Sequence, residues 1–271
     1  MTMANPVSRT AYYCTGVRAL DARSADPLVG DNWAEGFLGA EGREVFAIFD
    51  HFDTPNGANI VRHWVIEQWL KARLVANPQR RIVLVGAGFD SRALRLAGGR
   101  WFELDEAAII DRKELLAPES ASPNPLTRIA IDFARESLAD KLAPHASAEP
   151  VTIVMEGVLY YLEAAAVQAS AVALRNCFPQ HELICDIQSA AFVRRYAQPV
   201  IRVVETLGAK WRYFPDDPIA AIEALGYSLR EAQSLALRAA ELKRIRIPAW
   251  LIRHLLGTLR DGYRACVFET R

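Results

Sequence analysis

Arg81-Ile-Val-Leu-Val-Gly-Ala-Gly-Phe-Asp90 is the most informative stretch of this chain. Its first five residues form a short apolar run rich in β-branched side chains, which is typical of a strand buried in a parallel sheet. The run ends in Gly86-Ala87-Gly88, where glycine lets the backbone pass close to a ligand. A helix is predicted to follow over 91–97. This strand–loop–helix order favours a doubly wound α/β sheet with a ligand at the loop.

A carboxylate is predicted to lie beside the glycine loop. A second apolar run ends at Asp105, about 17 residues after Gly88. In a doubly wound sheet, an acid at this position accepts hydrogen bonds from the hydroxyls of a ribose. Two ligands that contain a ribose, NAD and S-adenosylmethionine (SAM), therefore come into consideration.

The residues of the loop favour SAM over NAD. The dinucleotide fingerprint G-x-G-x-x-G requires a third glycine where this chain has Ser91. Asp90 is also unfavourable beside a pyrophosphate, whereas SAM carries an ammonium and a sulfonium instead of phosphates. A tight strand–helix turn that binds no ligand stays a third interpretation, although the acid at the end of the second run makes it less favourable.

Strand and helix signals alternate along the chain. Strands are predicted over 81–85, 100–105, 128–132, 151–156, 182–187 and 263–269, with a further candidate over 225–229. Helices are predicted over 91–97, 106–116, 135–143 and 163–177. Such alternation implies right-handed βαβ units and a mainly parallel sheet. We therefore predict a single α/β domain over residues 1–271.

Two helical segments are predicted to flank this alternation. Residues 1 to about 76 form a helical N-terminal extension, in which 41–76 is predicted to be helical because apolar residues recur at helical spacing. Residues from about 189 to 224 interrupt the alternation and are a candidate cap over a substrate site. Within them, Trp211 and Tyr213 are candidates either for the wall of a pocket or for packing of the cap.

The composition argues against several kinds of partner. The formal net charge is zero, which disfavours a broad nucleic-acid surface or a polybasic membrane patch. No apolar run approaches the roughly 18 residues that span a bilayer. The four cysteines are scattered, as expected for free thiols in a reducing cytoplasm. The five histidines have no paired spacing, so no metal site is predicted, and no oligomeric state is indicated.

Several motifs together resemble the leucine carboxyl methyltransferase family, which includes protein phosphatase methyltransferases and tetracenomycin-type bacterial O-methyltransferases. They lie between about Ser8 and Leu162, and they are Ser8-Arg-Thr-Ala11, Arg18-Ala19, Arg62, Gly86-Ala-Gly-Phe-Asp-Ser-Arg92, Glu103-Leu-Asp105, Asp132-Phe133 and Glu156-Gly-Val-Leu-Tyr-Tyr-Leu162. The segment that begins at Gly86 is close to the family's G-A-G-[LF]-D-[ST]-R signature. Beyond Leu162 no family pattern identifies the substrate.

The resemblance implies a SAM-dependent O-methyltransferase with a seven-stranded, mainly parallel sheet of the Rossmann-like type. It also implies contacts to SAM and to its product, S-adenosylhomocysteine (SAH). By this resemblance, Arg62 pairs with the methionine carboxylate and Glu156 lies near the ammonium. The remaining implied contacts are Gly86, Ala87 and Gly88 beside the methionine moiety, Asp105 on the ribose, and Asp132 with Phe133 beside the adenine.

The predicted acceptor is a small-molecule metabolite that carries a carboxylate or an acidic hydroxyl. Methyl transfer from a sulfonium requires mainly alignment, and an ionised acceptor needs no general base. Candidate residues on the acceptor side are Tyr160, Tyr161, Arg194, Arg195 and Tyr196, of which the 194–196 group is more often a solvated helix face. No catalytic residue is predicted beyond these.

Three alternatives stay open at this point. The acceptor could be the C-terminal carboxylate of a protein, or the chain could bind SAM without turnover. An NAD-dependent oxidoreductase is disfavoured, because neither the third glycine nor a proton relay such as Tyr-x-x-x-Lys is evident.

Overall fold

The computed structural model describes residues 6–271, and at its centre lies a seven-stranded sheet. In chain order the strands are Arg81–Val85 (β1), Arg100–Asp105 (β2), Leu126–Ala130 (β3), Val151–Met155 (β4), His181–Gln188 (β5), Tyr227–Ser234 (β6) and Tyr263–Thr270 (β7). They are arranged in the order β3-β2-β1-β4-β5-β7-β6. Among these strands, β7 alone runs in the opposite direction to the other six, and it pairs antiparallel with β5 and β6. The prediction of a seven-stranded, mainly parallel α/β sheet is therefore confirmed.

Helices precede the sheet and connect its strands. They are Pro6–Ala22 (α1), Ala34–Ala47 (α2), Asp53–Ala76 (α3), Arg92–Arg95 (α4), Ala107–Leu116 (α5), Leu138–Leu142 (α6), Ala164–Cys177 (α7), Ala190–Phe192 (α8), Gln198–Thr206 (α9), Pro218–Glu223 (α10), Leu235–Glu241 (α11), Ala249–His254 (α12) and Gly257–Gly262 (α13). Among the described residues, no helix is both long and apolar enough to cross a membrane. The predicted N-terminal extension begins at residue 1, and its first five residues lie outside the described part of the chain.

The central strand β1 shows why the sheet forms where it does. Ile82 and Leu84 belong to the hydrophobic core on one face of the sheet, while Val83 and Val85 belong to the core on the other. All four are at most 2% exposed, so after Arg81 the strand is apolar on both faces instead of alternating. Burial of each side chain contributes about 1.5–3 kcal/mol. The strand has the bounds that its sequence predicts.

The predicted continuous helix over 41–76 is wrong, because the chain turns between Ala47 and Asp53. Phe49 is fully buried in the turn and stacks on Tyr13, with ring centroids 4.2 Å apart. The side-chain amide of Asn56 donates to the backbone oxygen of Phe49 at 3.0 Å and so ties the turn to the first turn of α3. Apolar spacing therefore continues through a segment whose backbone is not helical.

Boundaries also differ at the edge of the sheet. Strand β3 covers 126–130 instead of the predicted 128–132, since pairing begins where Trp101 N donates to the backbone oxygen of Pro125 at 2.8 Å. The helix predicted over 135–143 is reduced to α6, which begins where Ser137 accepts a hydrogen bond from Asp140 N. The candidate strand over 225–229 is β6, which begins later and is longer.

The segment after β5 is helical at both ends but not in the middle. Helix α8 continues through a π-helical turn, Val193–Ala197, into α9, and residues 207–217 then form neither helix nor strand. The backbone N–H of Arg212 donates to the backbone oxygen of Tyr160 at 2.6 Å. Trp211 packs on the ring of Tyr160, with centroids 4.4 Å apart. This segment therefore lies over the loop that follows β4.

Candidate functional site

A cavity of about 1550 Å³ opens at the carboxyl edge of the sheet. Small-molecule pockets usually occupy roughly 300–1,000 Å³, so this volume accommodates two small molecules side by side. Most of the residues singled out in the sequence line it, namely Arg62, Gly86, Ala87, Gly88, Asp105, Phe133, Glu156, Tyr160, Tyr161 and Tyr196. The carboxyl ends of parallel strands meet at one edge, and this explains why such distant residues share a cavity.

The glycine loop after β1 is fixed to the end of β2. The N–H groups of Gly86 and Ala87 both donate to the backbone oxygen of Leu104, at 2.9 and 3.0 Å. Gly86 has a φ of +71°, and a Cβ added to it would lie 2.5 Å from Cγ2 of Val158. Glycine is therefore required at this position both by its backbone conformation and by the close approach of the loop after β4.

Asp105 ends β2 with both carboxylate oxygens facing backbone donors. Oδ2 accepts from Gly88 N at 2.6 Å, and Oδ1 accepts from Glu106 N at 2.7 Å. Burial raises the pKa of Asp105 to about 6, although these two hydrogen bonds lower it. Each oxygen keeps a further lone pair. The carboxylate can thus accept two more hydrogen bonds from a diol in the cavity.

Arg62 projects from α3 into a buried polar cluster. Its Nε donates to Glu156 Oε1 at 3.0 Å, and Nη1 lies 3.3 Å from Asp186 Oδ2. Nη1 also donates to the hydroxyls of Tyr160 and Tyr263, at 3.2 and 3.0 Å. The side chain is only 3% exposed, so internal carboxylates balance its charge, as burial of a guanidinium requires.

One nitrogen of Arg62 is less fully engaged. Among the described residues, Nη2 makes only a weak hydrogen bond, to Cys14 Sγ at 3.3 Å. An amino nitrogen of a guanidinium carries two hydrogens. One of these hydrogens is therefore left for a ligand carboxylate to accept, and Arg62 lines the cavity in which such a ligand would lie.

Glu156, the first residue after β4, is held by cations on both oxygens. Besides the bond from Arg62, its Oε2 accepts from Arg92 Nη2 at 2.8 Å and lies 3.4 Å from His63 Nδ1. Burial alone would raise its pKa, but the guanidinium groups of Arg92 and Arg62 hold the pKa of Glu156 well below its usual range. The carboxylate is ionised, and its nearest partners are arginines within the protein.

Arg92 is the centre of this second ion cluster. Its fully buried side chain donates to Asp90 Oδ2 at 2.6 Å and to the backbone oxygen of His63 at 2.8 Å. Burial and the nearby Arg92 charge lower the pKa of His63, so the imidazole is neutral near pH 7. His63, Asp90 and Glu156 have ligand atoms within 4.8 Å of one another, but the Arg92 guanidinium bonds to all three. The arrangement therefore favours an ion-pair cluster over a metal site.

Three residues of the site were not assigned a role from the sequence. Asp186 in β5 accepts from Gly157 N at 2.6 Å and so fixes the loop after β4. Arg18 in α1 forms an ion pair with Asp31 at 2.9 Å and donates to the backbone oxygen of Phe89 at 2.6 Å, which ties α1 to the glycine loop. Tyr263 has no motif that would identify it. Asp186, by contrast, follows an apolar strand run as Asp105 does, and that signal could have found it.

The structure corrects the expectation for Arg194 and Arg195. Both are exposed and neither lines the cavity, so they are not placed to hold an acceptor there. The same segment instead turns Phe192, Tyr196 and Val200 toward the cavity.

Two other predicted residues also lie outside the cavity lining. The Asp132 side chain is 39% exposed and accepts from Ala134 N at 2.9 Å, so it caps its own turn while the neighbouring Phe133 lines the cavity. Tyr213 packs with the hydrophobic core that includes β5.

Comparison with known proteins gives a consistent result. The model of the leucine carboxyl methyltransferase family matches residues 11–174, which is more than half of the chain. An inferred S-adenosyl-L-methionine-dependent methyltransferase of Mycobacterium tuberculosis is 34% identical over 182 residues. That match spans 59% of this chain and only 59% of the relative.

Solved structures of low sequence identity share the fold. An inferred methyltransferase from Thermobifida fusca has a TM-score of 0.63 at 15% identity and covers 100% of both chains. Magnesium protoporphyrin IX methyltransferase from Synechocystis PCC 6803, solved with bound SAH, has a TM-score of 0.51 at 15% identity over 87% of this chain and 97% of that chain.

Proposed function

Because the chain belongs to the leucine carboxyl methyltransferase family, we propose that it binds SAM and transfers the methyl group to an oxygen of a small-molecule acceptor. The observation that carries the proposal is the Asp105 carboxylate, fixed by Gly88 N at 2.6 Å within the same cavity as Arg62. One cavity thus holds a group that can accept hydrogen bonds from a diol and a group that can donate to a carboxylate. These two groups match the ribose and the methionine carboxylate of SAM.

The residues present fit the polar groups of SAM. Asp105 would accept from the ribose hydroxyls, and Arg62 Nη2 would donate to the methionine carboxylate. Gly86 lets the loop pass close to the ligand, and Phe133 offers an aromatic surface on the adenine side. SAM supplies a methyl group already activated by the positive charge of sulfur.

The charge of the buried cluster suits a cationic ligand. Three carboxylates, Glu156, Asp90 and Asp186, surround the guanidinium groups of Arg62 and Arg92. The carboxylates outnumber the guanidiniums, so the cluster has a surplus of negative charge when all three are ionised. Burial raises the pKa of Asp186, and an ammonium or sulfonium nearby would favour its ionised form. We therefore place the methionine ammonium beside this cluster, and Glu156 contributes part of the negative charge that attracts it.

The protein's part in methyl transfer is alignment and exclusion of water. An acceptor oxygen forms the new bond to the methyl carbon as the bond from that carbon to sulfur breaks, and the electron pair stays on sulfur to give SAH. A carboxylate acceptor becomes a neutral ester, and no proton has to be moved. The negative charge of the acceptor and the positive charge of the sulfonium cancel in this step.

The polar groups near the acceptor side favour an acceptor that is already ionised. His63 is the one histidine of the described lining residues, and its Nδ1 lies 2.9 Å from Arg92 Nη2. Burial raises the pKa of Tyr160 and of Tyr263 well above the usual range, so both hydroxyls stay protonated. Tyr160 accepts from Arg62 and keeps a hydrogen with which to orient an acceptor oxygen. A carboxylate or acidic hydroxyl needs no base and fits these groups.

Calorimetry followed by a transfer assay tests the proposal. SAM and SAH should bind with one site per chain, and NAD should not bind. The methyl group of isotopically labelled SAM should then pass to a member of a panel of small carboxylic acids and acidic phenols. Binding of NAD without a response to SAM would overturn the proposal.

The same assay separates the two remaining alternatives. Transfer only to a phosphatase C-terminal peptide would assign the chain to protein carboxyl methylation. Tight binding of SAH without transfer to any acceptor of the panel would support a SAM-binding protein that lacks turnover.

A further inference from the structure

Part of the cavity is walled by apolar side chains from the second half of the chain. Phe192 and Val200 come from the segment after β5, Ile245 and Ile247 from the loop after α11, and Leu259 from α13. Four of these side chains are at most 9% exposed, and Ile247 is half-buried against the same core. We call the space that these five residues border the apolar chamber.

The apolar chamber adjoins the proposed SAM site. The ring of Tyr263 lies 5.5 Å from the ring of Phe192, and its hydroxyl accepts from Arg62 Nη1 at 3.0 Å. One residue thus contacts both the chamber wall and the cluster assigned to the methionine end of SAM. A molecule in the chamber would lie next to that end, where the methyl group is attached.

Gln188 is a polar residue in this apolar region. It is the last residue of β5, pairs with Tyr263 across the sheet, lines the cavity and is 5% exposed. Its side-chain Oε1 is buried, and it has no hydrogen-bond partner among residues 6–271. A buried amide oxygen without a partner costs free energy of folding. A ligand group that donates to Oε1 would remove that cost.

We infer that Gln188 is a specificity-determining residue for the methyl acceptor. The acceptor is an acid whose apolar body fills the chamber and whose body also carries a hydroxyl that donates to Gln188 Oε1. This inference rests on the proposed function and adds to it the shape of the acceptor and the position of its second polar group. Such an acceptor carries a carboxylate at one end and a hydroxyl on its body.

Calorimetry on the SAH complex tests the inference. The probes are naphthoic acid and its positional hydroxy isomers, which share one apolar body and differ only in the hydroxyl. At least one isomer should bind about 3- to 10-fold more tightly than the parent acid, as expected for one net neutral hydrogen bond. Gln188→Leu should remove this difference and leave the affinity for the parent acid at or above the wild-type value.

Matched variants show whether the effect belongs to Gln188. Gln233→Leu makes the same change at a half-buried position in β6 that does not line the cavity, and it should keep the preference for the hydroxy acid. Gln188→Asn keeps the amide but shortens its reach, so it should lose the preference even if Gln188→Leu fails to fold. Ile247→Trp should narrow the chamber and abolish binding of both acids without changing the affinity for SAH.

The outcomes separate this inference from the proposed function. If SAH does not bind the wild-type protein, the proposed function fails. If SAH binds but no hydroxy acid is preferred, or Gln188→Leu and Gln188→Asn both retain the preference, the inference is overturned and the proposed function stands. A change of stability in Gln188→Leu with an unchanged preference for the hydroxy acid would assign Gln188 a structural role and also overturn the inference.

Discussion

Replacing Asp105 with asparagine probes the proposed ribose contact with little change of shape. Both carboxylate oxygens accept backbone hydrogen bonds, at 2.6 Å from Gly88 and 2.7 Å from Glu106. An asparagine can accept only one of these bonds, and its NH₂ group would face the other N–H. A ribose hydroxyl would also lose a charged acceptor, which contributes about 1.5–3 kcal/mol. We therefore expect Asp105→Asn to weaken SAH binding by roughly 10- to 150-fold.

The same residue predicts how SAH binding depends on pH. Burial raises the pKa of Asp105 to about 6, and the ribose hydroxyls would donate to its ionised form. Affinity should therefore rise as pH increases through about 6, and binding below that pH should release a proton. The pH dependence of folding stability has the opposite sign, because the folded state holds the Asp105 proton more tightly than the unfolded chain does. Ionisation of Asp105 thus costs stability as pH rises from about 4 through 6.

Isothermal titration with SAH at pH values from about 5 to 8 measures the effect of the substitution on affinity and the dependence of that affinity on pH. The wild-type affinity should increase over the acidic part of this range, and Asp105→Asn should be weak and independent of pH. Asp140→Asn, which changes an exposed carboxylate on α6, is the matched control and should behave as the wild type does. A folded Asp105→Asn protein with wild-type affinity, or a wild-type affinity that is flat across this range, would remove Asp105 from the site.

Three further substitutions follow from the contacts of the site. Arg62→Lys keeps the charge but loses the planar set of donors, so the free energy of unfolding measured in urea should fall by about 2 kcal/mol and calorimetry should show weaker SAH binding. Wild-type values in both measurements would contradict the assigned contacts. The double variant of Arg194 and Arg195 to alanine should change SAH affinity and methyl transfer by less than about twofold, because both side chains are exposed outside the cavity; a large loss of transfer would return them to the acceptor site. Gly86→Ala should lower the free energy of unfolding by about 1–3 kcal/mol because of the positive φ of this residue and its close contact with Val158. Gly36→Ala in α2 is the control and should not destabilise the protein, because an added Cβ meets nothing within 4 Å there.

The centre of the sheet could be predicted from the sequence, but its edge could be predicted only approximately. Strand β1 is buried on both faces, so the apolar run over 82–85 ends where the strand ends. Strand β3 lies at the edge and is mostly half-buried, which leaves its sequence without a sharp boundary. Its position is set by pairing with β2, and a single-sequence pattern does not contain that information.

The acidic residues at the ends of strands could be predicted from the sequence, whereas the partners of the buried arginine could not. Asp105 and Glu156 follow apolar runs, and such acids converge wherever parallel strands end together. The partners of Arg62 are far away in sequence: Asp186 is 124 residues and Tyr263 is 201 residues further along the chain. An arginine among apolar residues indicates that an anion is needed, but it does not say which anion.

The outward direction of Arg194 and Arg195 has a local cause. The chain forms a π-helical turn over Val193–Ala197, which changes the number of residues per turn and hence the face on which each side chain lies. Prediction from a regular helical period therefore could not assign these arginines to a face.

A crystal structure of the chain with SAH tests the proposed function most directly. We predict that the ribose hydroxyls bond to the Asp105 carboxylate, that the methionine carboxylate bonds to Arg62, and that sulfur faces the apolar chamber beside Phe192. SAH bound elsewhere, or bound in the cavity with its ribose away from Asp105, would contradict the proposed site.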